Sequence, residues 1–112
     1  MLGLAAFVGC ATMPPGDLLT ARDTYDRASR GATAPRDPAD LNAARQALDL
    51  AEKSFAEVGD TQETRDLAYT SERRTEVAES RGRALELEQE SMNLARIRAD
   101  AVDREQPTAG GQ

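Results

Sequence analysis

The side chain in this 112-residue sequence best placed for covalent chemistry is its single cysteine, Cys10. It stands behind the apolar run Leu2-Gly3-Leu4-Ala5-Ala6-Phe7-Val8 and the small residue Gly9. A thiol in that setting reads as a lipid attachment site. A second reading stays open at this point, because a lone cysteine also serves as a small buried hydrophobe. One cysteine leaves no internal disulfide, which is compatible with an oxidising envelope compartment.

The other chemistry-bearing patterns are thin. The chain has no histidine, so the commonest general base, the usual nucleophilic triads and histidine metal sites are excluded. No Gly-rich phosphate loop or paired-cysteine metal motif occurs. Glu86 and Glu90 could be drawn as a carboxylate pair for a metal, but two acids one turn apart on a polar helix read as a solvated face. Glu72, Glu76 and Glu79 stand three or four residues from Arg73 or from one another, spacings that tune a helix by a few tenths of a kcal/mol. No catalytic residue, metal or cofactor is therefore expected, and the chain does not read as an enzyme. With 20 acidic against 14 basic residues and a net charge of −6, no basic stripe exists to neutralise phosphates, so nucleic acid is not an expected partner. The same sign disfavours anionic lipid. The apolar run before Cys10 is also shorter than the roughly 20 residues of a spanning helix. Membrane association would have to come from acyl chains on Cys10.

The elements that position these residues should all be helical. Leu, Ala, Glu, Arg and Gln dominate and favour helix, while aromatics make up only 4% of the chain and strand formers are scarce. The expected fold is all-α without strands: an antiparallel helical hairpin or an elongated three-helix bundle with one long C-terminal helix. Residues 1–9 would be a signal peptide that lacks the usual basic start, 10–16 the lipidated cysteine and its tether, 17–105 the helical domain and 106–112 a disordered tail.

Within 17–105, Asp17 is placed to cap a first helix carrying Leu18, Ala21, Tyr25 and Ala28 on one face, ended by Gly31. Asp37 and Pro38 start a second, in which Leu41, Ala44, Leu48, Ala51, Phe55 and Val58 form a 3-4 seam that Gly59 stops. Asp60 and Glu63 form a box-like cap for a third helix running from Thr61 to about Glu105. Its first half offers Ala68, Ser71, Thr75, Ala78 and Gly82, small residues that let helix axes approach closely. Helix two can cover it only to about Arg81. Beyond that, Leu85, Met92, Ile97 and Val102 are the interaction surface expected from the sequence, on a helix that either bends back at Gly82 or projects. Projection is favoured, since one glycine costs a helix only about 1 kcal/mol.

Two resemblances add to this. Gly9-Cys10 with its apolar run resembles the lipobox of bacterial lipoproteins, with Phe7 where Leu is usual. That resemblance implies cleavage after Gly9 with Cys10 as the first residue of the mature chain, a diacylglyceryl thioether and an acylated amine on Cys10, and Ala11 after the cysteine implies sorting to the outer membrane. The run Pro38-Ala39-Asp40-Leu41 through Ala44-Arg45, Ala47-Leu48, Ala51-Glu52 and Gly59-Asp60, then Arg65-Asp66-Leu67-Ala68-Tyr69 and Glu76-Val77-Ala78-Glu79, is similar to the Ala-rich helical domain of unknown function 4398. That likeness spans about Leu18 to Leu85 and implies an envelope lipoprotein. The expectation is an outer-membrane, periplasm-facing helical module with a structural or interaction role, binding an envelope protein or itself. The runner-up is a peptidoglycan- or ligand-binding accessory module, a fragment of a longer OmpA-like protein. No peptidoglycan-binding motif supports it.

Overall fold

The computed structural model describes residues 13–105, which form three α-helices and one 3-10 turn. Helix α1 spans Gly16–Arg30, the 3-10 turn Ala34–Arg36, α2 Pro38–Val58 and α3 Gln62–Glu105. No strand occurs among the described residues. The expected signal segment, Gly9, Cys10 and the expected 106–112 tail all lie outside the described residues.

The helix starts follow local chemistry, with two departures from expectation. Asp17 is not the cap of α1: the helix opens one residue earlier, where the Pro15 carbonyl accepts the Leu18 and Leu19 N–H groups at 3.0 and 3.2 Å. Pro15 lacks an N–H, but its carbonyl is free to begin a helix, so Asp17 sits in the positive first turn instead. At α2 the Asp37 side chain accepts from the Asp40 N–H, with Pro38 at the first helical position. At α3 the cap is Thr61, whose Oγ1 accepts the Thr64 N–H at 3.2 Å. Asp60 is drawn away from capping by Arg65, which donates to both its oxygens at 2.8 and 3.1 Å. Gly59 closes α2 at φ +75°, a left-handed conformation that disfavours any side chain.

The turn between α2 and α3 is tied by hydroxyls. Thr64 Oγ1 donates to the Gly59 carbonyl at 2.8 Å and accepts from Ser54 Oγ at 2.7 Å. With so short a turn the two helices are antiparallel neighbours, and α1 lies across them so that Leu18 meets Leu48, Ala51 and Ala68. The chain thus runs up, down and up. Arg22 of α1 holds Glu52 of α2 through two hydrogen bonds, the one from Nη2 at 2.6 Å.

The interior is made almost entirely of small side chains. Ala21, Ala44, Ala51, Ala68, Thr64, Ser71 and Thr75 are fully buried, and among the described residues Leu18 is the one large apolar residue that is. In α2 the buried set is Ala44, Ala47, Leu48, Ala51 and Ser54. Leu41 and Phe55 are half-buried, and Val58 at the seam's end is exposed because the turn leads α3 away from it. Small residues on α3 let α2 come close, as their spacing predicts.

Gly82 is the last buried residue of α3. A Cβ there would stand 2.8 Å from Thr33 Cβ and 3.0 Å from the Thr33 carbonyl oxygen, so the connection between α1 and α2 rests directly on the α3 backbone. The glycine admits a neighbouring chain rather than a bend. α3 continues without interruption to Glu105, which settles the alternatives for its second half in favour of projection.

Candidate functional site

The four surface residues expected from the sequence all lie on the part of α3 that leaves the bundle. Leu85, Met92, Ile97 and Val102 are 43–59% exposed, on a stretch past Gly82 of about 35 Å at 1.5 Å per residue. The boundary is marked by charge. Arg81 Nη1 donates to Asp40 Oδ2 at 2.6 Å, tying the start of α2 to α3 where their overlap ends.

That pair and the Asp60–Arg65 pair are exposed, yet each holds its carboxyl below the ordinary aspartate value. For Asp40 the cause is first the hydrogen bond from Arg81, then hydrogen bonding with Asp37; for Asp60 it is the bond from Arg65. A carboxyl lowered on folding stabilises the fold above about pH 4, and that contribution is lost as the pH falls through the folded value. Acidification below about pH 4 is therefore expected to loosen the α2–α3 pairing. In Arg81→Ala, the Asp40 carboxyl should titrate at higher pH by NMR than in the parent; an unchanged titration would disprove the coupling.

The four residues do not share a face. Counting about 100° per residue, Leu85, Met92 and Val102 fall within an arc of about 100°, together with Ala95 and Ala99. Ile97 points to the opposite side, with Leu87 and Leu94. The polar side of this stretch, with Gln89, Arg96 and Asp100, continues the face that in the bundle is the buried seam Ser71, Thr75, Ala78 and Gly82. The seam stops being made of small side chains where its cover ends.

The arc holding Leu85, Met92 and Val102 continues another row of α3, formed by Leu67, Thr70, Arg74 and Val77. Those residues form one wall of an open groove whose other wall is Ala43, Ala47 and Leu50 of α2, on the flank of the hairpin that α1 leaves bare. Leu50 is 56% and Val77 50% exposed. This groove was missed in the sequence, although its signal is there: Ala43, Ala47 and Leu50 recur at helical spacing beside the main seam of α2. Three helices cannot enclose both flanks of a hairpin, and α1 covers only one.

Among the described residues no group of three or more His, Cys, Asp or Glu side chains could hold a metal ion, and no helix is long and apolar enough to cross a membrane. Glu86 and Glu90 stand without a third acid. The arrangement offers apolar contact along one row and charges beside it.

No curated protein and no solved structure matches the chain. A family model does, from the first residue of α1, through the hairpin and into the projecting part of α3 as far as Leu94. On that match over residues 16–94, the chain belongs to the family described as domain of unknown function (DUF4398).

Proposed function

We propose that this protein is a lipid-anchored helical module of the bacterial envelope, held on the periplasmic face of the outer membrane through Cys10, with a structural or protein-interaction role and no catalytic activity. The observation that carries the anchor is the order of residues at the N-terminal end: an apolar run, Gly9, then Cys10 and Ala11. The chain then passes through Pro14 and Pro15 directly into α1, so a tether of about 20 Å at roughly 3.3 Å per residue separates lipid from bundle. One acyl chain gives marginal, reversible binding, whereas the three expected on Cys10 would hold the protein almost permanently. The interaction role draws its support from the exposed apolar row of α3 and the groove in line with it.

The test is Cys10→Ser. The variant should keep its helical circular dichroism, lose incorporation of labelled fatty acid and move from the membrane to the soluble fraction. Equal membrane retention of the variant, or an unmodified thiol by mass spectrometry of the parent, would overturn the anchor.

A further inference from the structure

The bare groove and the exposed row that continues it lie on one side of a straight helix, so a single elongated partner lying along that side would cover both. We propose that the partner is a second copy of this chain running antiparallel, each copy laying its 85–102 row into the other's α2–α3 groove and completing a four-helix unit there. The inference deepens the interaction reading above and does not depend on the lipid anchor.

Dimensions and charge carry it. The row from Leu85 to Val102 is about 26 Å long, and the open flank of the hairpin, lined along α2 from Asp40 to Val58, is about 27 Å at 1.5 Å per residue, so the row matches the flank in length. Centring one on the other places the two-fold axis near Gly82, beside the α1–α2 connection. Arg74 then stands level with Glu88 of the second copy, which lies within the arc of the row at about 100° per residue, and Glu63 comes within a turn of its Arg98 at the row's edge. Among the described residues none of these four forms an ion pair within its own chain. A parallel arrangement would bring Glu88 toward Glu63, and Arg98 toward Arg74, apposing like charges at both ends. The signs select the antiparallel, closed pair, in which each contact is made twice by symmetry. Apolar residues supply the adhesion: Leu50 and Val77 of the groove and Met92 and Val102 of the row are each about half exposed in the single chain.

The experiment uses the full chain carrying Cys10→Ser, so that dimer formation and membrane attachment are read separately. Sedimentation equilibrium should show a dimer that dissociates on dilution. Mixing a Leu50→Cys protein with an Ala95→Cys protein should give a disulfide-linked pair on mild oxidation. Neither protein should cross-link alone, because its two cysteines would lie about 35–40 Å apart at 1.5 Å per residue. Arg74→Glu should weaken the dimer about tenfold with helicity unchanged, and adding Glu88→Arg should restore most of the loss. A strict monomer at high concentration overturns the proposal. So does efficient cross-linking of Ala95→Cys alone, which would mean that the projecting ends pair tip to tip, and so does an Arg74→Glu dimer as tight as the parent.

Discussion

Ala68→Leu is expected to destabilise the bundle by about 3 kcal/mol, at the upper end of the usual cost of overpacking a closed interior. Ala68 is fully buried and lies in the cluster with Leu18, Leu48 and Ala51. A leucine there has no void to fill. It can be admitted only if α3 moves away from α1 and α2, which would also strain the hydroxyl ties of Ser54 and Thr64 at the turn. Leucine is nearly as good a helix former as alanine, so the loss cannot be assigned to the isolated helix. Urea denaturation should show a lower midpoint with little change in slope. A midpoint equal to the parent's would show that α3 does not approach its neighbours as closely as described.

Leu18→Ala should cost about 2–4 kcal/mol by removing a large side chain from a site that cannot collapse around the loss. Leu18 is completely buried at the start of α1, and no other side chain of its size among the described residues is. A domain of this length has of order 5–10 kcal/mol in all. Part of the response should be local: α1 is joined to α2 through the Arg22–Glu52 pair and that leucine, while the α2–α3 hairpin keeps its own ties. Hydrogen exchange should therefore speed up in α1 more than in the hairpin. Uniform protection loss across all three helices would show that α1 and the hairpin open as one unit.

Much of this architecture is legible in the sequence because helix punctuation is chemically specific. Asp37-Pro38 and Gly59 mark ends that few other residues could mark, and the small side chains from Ala68 to Gly82 announce a close approach. What could not be read depends on competition between neighbours. Asp60 and Thr61 are both good caps, and the choice between them was made by Arg65, which engages the aspartate. Asp17 lost its expected role to the Pro15 carbonyl. The groove beside Leu50 was hidden for a different reason: α2 carries two apolar stripes, and which one is covered follows from where α1 lies. The four projecting residues were found as exposed, but helical phase separates Ile97 from the other three. Cys10 is the opposite case, since its meaning rests wholly on the order of residues around it.

An interior of alanine, serine, threonine and glycine also shapes how this molecule answers to temperature. Unfolding it brings comparatively little hydrocarbon into contact with water, so its heat-capacity increment should fall below the usual 12–15 cal/mol/K or so per residue. A small increment flattens the curve of free energy against temperature, leaving a modest maximum spread over a wide thermal range. The same chain that resists enlargement at any buried position is thus one whose folded state weakens slowly on cooling.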